Sequence, residues 1–272
     1  MTLTADALWL DSFFSGYDTA ILSFAHKLAE AAGTVLTPFN KLITLLGEKG
    51  LLFILLGIVL MLFPRWRKAG VCIFGAVGCA AVLKFVLKDM IARPRPFESV
   101  EQFRQWWEFV GAPAEDGFSF PSGHVSAAAA GVTGLCLMRG RRWFIPGAIW
   151  VLLMMFSRNY LMAHYPSDVL FGLLVGVFSG FVAAGITNLI FRFLESHSGE
   201  GRVYDFLLEA GFEDLSDIKT LLPRKSEEDT PASVERSAHS EPVKTTRRAA
   251  ASTAKHARGT TSSSSGGYQG KH

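Results

Sequence analysis

Cysteine is scarce in this 272-residue sequence, and so is charge. The three cysteines, Cys72, Cys79 and Cys136, each sit in an apolar run and share no paired spacing. An odd count at such spacings argues against a disulfide framework or a zinc site and leaves structural thiols. Charged residues make up 19% of the chain and the net charge is only +3. The broad basic face that nucleic-acid binding needs is therefore missing, as are its motifs. The first 20 residues carry Asp6 and Asp11 in place of a basic start and lack a long apolar stretch, so no cleaved signal peptide is expected.

Apolar residues are what the chain has in abundance. They form 49% of it, and mean hydropathy is +0.27 even when averaged over a polar C-terminal tail. Five apolar stretches stand out at about 50–63, 69–87, 125–138, 143–157 and 169–191. The second and fifth reach the ~20 residues that cross a bilayer. The other three are shorter and must borrow neighbours or cross a thinned membrane. Backbone groups cannot stay unpaired in lipid, so these stretches are expected to be helices. Small residues recur in them (Gly75, Gly78, Ala80 and Ala81; Ala127 to Ala130; Gly172, Gly176 and Gly180), and allow close helix approach. Region 17–46 has apolar residues at helical spacing with Asp18 as N-cap and Pro38 as an interruption. It reads as an interfacial helix or, preferably, a sixth span.

The expected fold is all-α: a polytopic membrane helical bundle of five or six transmembrane helices in 1–195, a short amphipathic helical segment at 196–222, and a disordered tail at 223–272. Beyond residue 230 the tail has seven Lys/Arg against two acids, and reads as solvated or as a weak contact with anionic headgroups.

Basic residues mark one side. Arg65, Arg67 and Lys68, then Arg139, Arg141 and Arg142, then Arg192, fall between or after spans and are expected in the cytoplasm. Counting crossings then puts Lys88, Arg93, Arg95, Ser122, His124, Arg158, His164 and Asp168 together on the opposite face. That conclusion holds in either orientation.

Those residues form a chemical set. Lys88, Arg95 and Arg158 supply cations, and arginine can grip phosphate oxygens with paired hydrogen bonds. Ser122-Gly123-His124 opens a helix whose N-terminus can bind an anion, with Gly123 permitting close approach. An anion site with two imidazoles suits phosphoryl transfer. If 164–168 turns helically, Asp168 can hold the His164 N–H and leave the other nitrogen to attack. His124 is left to protonate the departing oxygen. In the long outer loop, Trp106, Trp107 and Phe109 read as interfacial anchors or as a flank to the path of the lipid. Glu98, Glu101, Glu115 and Asp116 are expected to be solvated.

Lys88 to Arg95-Pro96, Pro121-Ser122-Gly123-His124, and Ser157-Arg158 to His164 to Asp168 resemble the three-part signature of the type 2 phosphatidic acid phosphatase (PAP2) superfamily, K-x6-R-P, P-S-G-H and S-R-x5-H-x3-D. The motifs cover 88–168, and the helical pattern extends the likeness to about 17–191. The resemblance implies a membrane-embedded lipid phosphatase of the bacterial kind. Lys88, Arg95, Arg158, Ser122 and Gly123 would bind phosphate, and His164 would form a phosphohistidine oriented by Asp168. His124 would protonate the leaving group and then activate water. No metal and no cofactor are implied. Arg93 lies outside the pattern and is expected to be an auxiliary contact. Substrates would be lipid phosphates within the membrane, among them phosphatidic acid, phosphatidylglycerol phosphate, isoprenoid diphosphates or lipid A phosphates, with undecaprenyl diphosphate the leading guess. A vanadate-dependent haloperoxidase, a lipid phosphotransferase and a non-enzymatic membrane protein remain the alternatives.

Overall fold

The computed structural model describes residues 4–198 and Leu208. Most of the expected amphipathic segment and all of the expected tail lie outside the described residues. Every regular element among those residues is helical.

Helix α1 runs Ala5–Leu46, starting well before the expected 17. Thr4 caps it, its Oγ1 accepting from the Ala7 N–H at 3.2 Å. Asp18, expected as the cap, is instead buried inside the helix. The helix kinks at Ala32 and continues through Pro38, so the proline does not interrupt it as expected. A 3-10 turn, Glu48–Gly50, leads into α2, Leu51–Met61. Helix α3, Pro64–Ile91, and the last helix each begin with proline, which costs nothing at a position whose N–H is unpaired anyway. Short helices α4, Pro96–Ser99, and α5, Glu101–Phe109, occupy the long loop. Then come α6, Gly123–Arg139, α7, Phe144–Tyr160, and α8, Pro166–Ser196.

The chain is a membrane protein. Three helical stretches among the described residues, Ala5–Met61, Pro64–Ser99 and Pro166–Ser196, are long and apolar enough to cross a bilayer. Helices α6 and α7 have 17 residues each, about 25 Å of rise against a hydrocarbon core of ~30 Å. The outer surface suits lipid rather than water: Phe13, Phe24, Phe85, Ile145, Leu152, Phe178 and Leu189 each expose more than half their area.

Helices α3, α6 and α8 form the centre of the bundle. The glycines of α8 let it lie directly on α6. A Cβ at Gly176 would stand 2.4 Å from the Ser126 carbonyl oxygen, and one at Gly172 would stand 2.8 Å from that of Ser122. Helix α7 is tied to the second half of α1 by polar contacts. Ser157 Oγ–H donates to the Asn40 carbonyl at 2.8 Å, and the Thr37 and Tyr160 hydroxyls meet at 2.9 Å. Of the cysteines, only Cys72 is fully buried, while Cys79 and Cys136 are half-buried.

Candidate active site

Antiparallel packing brings the C-terminal ends of α3 and α7 to the N-terminal ends of α6 and α8. The loop carrying α4 and α5 covers them. Lys88 stands in the last turn of α3. Ala92 then takes a left-handed conformation (φ 50°), its N–H donating to the Lys88 carbonyl at 2.9 Å. This cap turns the chain back, so that Arg93 and Arg95 point into the bundle end.

A cavity of about 450 Å³ opens here. Lys88, Arg95, Gly123, His124 and His164 line it together with Lys84 and Glu115. Arg158, Ser122 and Asp168 are buried behind its wall. All the residues expected at the site thus lie at one end of the bundle, five of them on the cavity itself.

His164 is buried, and its Nδ1–H donates to the Ser119 carbonyl oxygen at 2.7 Å. A carbonyl only accepts, so Nδ1 carries the proton and Nε2 is left as the free base. Burial, followed by the charges of Arg95, Arg158 and Lys88, pushes the His164 pKa well below the ordinary histidine value. The imidazole is therefore neutral and nucleophilic near neutral pH.

Asp168 does not hold His164 directly, contrary to expectation. Its carboxylate accepts from Ser119 Oγ–H at 2.5 Å, Arg93 Nη1–H at 2.6 Å and the Tyr165 N–H at 3.1 Å. Ser119 Oγ lies 3.4 Å from His164 Nδ1, so the acid reaches the histidine through a serine. The cause is local. His164 precedes α8 in a loop where Met162 has φ 55°, while Asp168 sits in the first turn of α8 and folds back to cap it. Four residues here do not make a helical turn.

Arg93, expected as an auxiliary contact, is instead the hub of a buried network. It is 1% exposed. Besides Asp168 it donates to Asp11 at 2.8 Å, Asp18 at 3.0 Å and Ser167 Oγ at 2.8 Å. Its guanidinium lies 3.9 Å from the Tyr165 ring centroid. Asp18 in turn accepts from the Ser167 N–H at 2.8 Å and from Ser167 Oγ–H at 2.7 Å. Helix α1 is thereby fastened to the start of α8.

Arg95 is clamped by backbone. It donates to the carbonyls of Gly117 at 2.9 Å, Asp116 at 2.8 Å and Ala163 at 2.7 Å. Glu115, expected in solvent, is only 12% exposed at its side chain and bridges Arg95, at 3.2 Å, and Arg158. Two guanidinium groups thus converge on one carboxylate. Asp116 is exposed, as are Glu98 and Glu101. Three polar atoms at the site have no hydrogen-bond partner among the described residues: Ser122 Oγ, His124 Nε2 and Arg158 Nε. Buried polar groups are almost always paired, so these are candidates to receive an anion. The Ser122 N–H is already taken by the Asp168 carbonyl at 3.1 Å.

The tryptophans are packing residues. Trp106 stacks on His26 of α1 at 4.7 Å, and Trp107 stacks on Phe97 at 4.4 Å. Trp106 pins the covering loop to α1, Trp107 packs within that loop, and neither flanks the cavity. The roles of Ser119, Glu115, Asp11 and Asp18 had no sequence signal beyond residue type. Arg93 had one, its place in the Arg-Pro-Arg-Pro run.

Comparison with known proteins points to one family. Residues 69–192 match the PAP2 superfamily. An undecaprenyl-diphosphatase of Sulfolobus acidocaldarius is 30% identical over 151 residues, covering 55% of this chain and 71% of that protein. A phosphatidylglycerophosphatase B of Bacillus subtilis is 28% identical over 194 residues, covering 65% and 90%. The crystal structure of the first transmembrane PAP2 type phosphatidylglycerolphosphate phosphatase from Bacillus subtilis aligns with a TM-score of 0.47 at 24% identity, covering 69% of this chain and 98% of that one. With its three motifs gathered at one end of a helical bundle, the chain belongs to the PAP2 superfamily.

Proposed function

We propose that this chain, a phosphatase of the PAP2 superfamily, hydrolyses a lipid phosphate or isoprenoid diphosphate through a phosphohistidine on His164. One observation carries the reading: His164 and His124 line a single cavity beside Lys88 and Arg95, and neither imidazole Nε2 is spent on a hydrogen bond among the described residues.

The phosphate enters the cationic cradle and takes the place of the Glu115 carboxylate on Arg95 and Arg158. Lys88, the Ser122 hydroxyl and the first-turn N–H groups of Gly123 and His124 bind its other oxygens. These groups stabilise the charge that spreads over the phosphoryl oxygens in the transition state. His164 Nε2 attacks phosphorus, the bond to the leaving oxygen breaks, and His124, which takes up a proton once the phosphate anion is bound beside it, gives that oxygen the proton. Neutral His124 then takes a proton from water, which attacks phosphorus, splits the N–P bond and releases phosphate. Asp168 acts through Ser119, whose carbonyl keeps His164 in the attacking tautomer.

Arg65, Arg139, Arg141 and Arg142 lie at the other end of the bundle from the cavity. The positive-inside rule puts that end, and the tail, in the cytoplasm, and the site on the extracytoplasmic face. Undecaprenyl diphosphate is the leading substrate, a reading the Sulfolobus relative supports. Phosphatidic acid and phosphatidylglycerol phosphate are the other members of the panel to test.

The test is phosphate release from this panel by purified wild type and His164→Ala. Removing an attacking nucleophile is expected to cost about a hundredfold or more, with the fold retained. Near-normal turnover by the variant overturns the reading. Comparison of inside-out with right-side-out vesicles tests the sidedness.

A further inference from the structure

We infer that Lys84 binds the phosphate that departs with the lipid, and so selects diphosphates over monophosphates. This rests on the reading above, in which His164 attacks and His124 protonates the leaving oxygen.

Lys84 and Lys88 are four residues apart on α3, so they share a helix face, and both line the cavity. Their ammonium groups diverge. Lys88 Nζ lies 3.9 Å from where a Gly117 Cβ would stand, beside the loop that Arg95 clamps. Lys84 instead lies across Gly123, where an added Cβ would meet its Cδ at 2.7 Å and its Nζ at 3.6 Å. Gly123 is the residue before His124, so Lys84 lies against the turn that carries that imidazole. One lysine is thus on the phosphoryl side of the cavity and the other beside the proton donor.

The arginines at this end are already answered by acids. Arg95 and Arg158 share Glu115, and Arg93 holds Asp11, Asp18 and Asp168. Lys84 has no ion pair and no hydrogen bond among the described residues, although it is half-buried. A cation on this side has a use that depends on the substrate. When a phosphate monoester is cleaved, the leaving group is an alcohol and the proton from His124 suffices. When a diphosphate is cleaved, the terminal P–O bond breaks, His164 takes the terminal phosphoryl group, and the electron pair goes to the bridging oxygen. That oxygen receives the proton from His124, and the departing lipid monophosphate still bears negative charge. Lys84 is placed to offset this charge as it develops. Lys41 and Lys49 line the same cavity and extend the positive mouth.

The experiment compares kcat/KM for an isoprenoid diphosphate and the monophosphate of the same chain, in detergent, for wild type, K84Q and K84R. Removing a charge-assisted hydrogen bond that only the diphosphate makes is expected to lower the diphosphate-to-monophosphate ratio of K84Q about tenfold, with K84R keeping most of it. A fall of less than about threefold in K84Q, near the low end for such bonds, overturns the assignment while leaving the phosphatase reading intact. Absence of phosphate release from both substrates by wild type overturns the phosphatase reading instead. If K84Q does not fold, inhibition of wild type decides: inorganic diphosphate should bind about tenfold tighter than inorganic phosphate, and equal inhibition overturns the proposal.

Discussion

Replacing Arg93 by methionine keeps much of the side-chain volume and removes the charge. In the wild type its guanidinium satisfies Asp168 at 2.6 Å, Asp18 at 3.0 Å and Asp11 at 2.8 Å. Asp168 is 0% and Asp18 2% exposed, so neither carboxylate can turn to solvent once its partner is gone. Removing one member of a buried pair costs about 3–5 kcal/mol, and here one deletion strands two buried acids, which puts the expected loss at the upper end. Against a total stability of about 5–15 kcal/mol, R93M should melt far earlier in detergent, read by circular dichroism. Activity should fall beyond what unfolding explains, because Asp168 and Ser119 set the orientation of His164. Arg93→Lys keeps the charge but lacks the planar fork and should fall between the two. Adding Asp18→Asn to R93M removes one stranded charge and should recover part of the loss. If R93M is destabilised by less than about 1 kcal/mol, as an ordinary surface substitution would be, Arg93 is not the hub of the network. Failure of the double variant to recover any stability would refute the hub in the same way.

Four further outcomes follow from the same geometry. Glu115→Gln removes the carboxylate that competes for Arg95 and Arg158, and inorganic phosphate should inhibit it about tenfold more tightly; unchanged inhibition would show that Glu115 does not contest the anion site. Because the His164 pKa is depressed, its neutral, attacking form persists below the ordinary histidine value of about 6.5, so the acid limb of the wild-type kcat/KM profile belonging to His164 should lie below that pH. The unfolded chain binds the extra proton first, so the same shift makes folding stability fall as pH drops from about 6.5 toward the depressed value, measurable as a lower melting temperature. Gly176→Leu places side-chain atoms where even a Cβ would be 2.4 Å from the Ser126 carbonyl; helix α8 must lift from α6, and gel filtration should show loss of the monodisperse species, whereas a wild-type-like profile would refute the tight packing.

Much of this protein is local and can be read along the chain. The five apolar stretches correspond to α2, α3, α6, α7 and α8, because a segment in lipid has to close its hydrogen bonds within itself. Gly172, Gly176 and Gly180 announce a close helix approach, since small residues at that spacing serve little else. The motifs also announce their meeting, because chain crossings alternate sides whatever the details of packing. Partner choice between side chains is of another kind. Whether Asp168 faces His164 or Arg93 depends on where α8 begins, and that Arg93 finds Asp11 and Asp18 depends on α1 lying against that end of the bundle. Glu115 sits between two arginines only because Arg95 clamps its loop. Composition and spacing alone therefore determined the membrane bundle and which residues share its active end. The lateral packing of helices distant in sequence decided which charges are spent on one another and which are left for a substrate, because hydrogen bonds and ion pairs act over a few ångströms that only the folded chain sets.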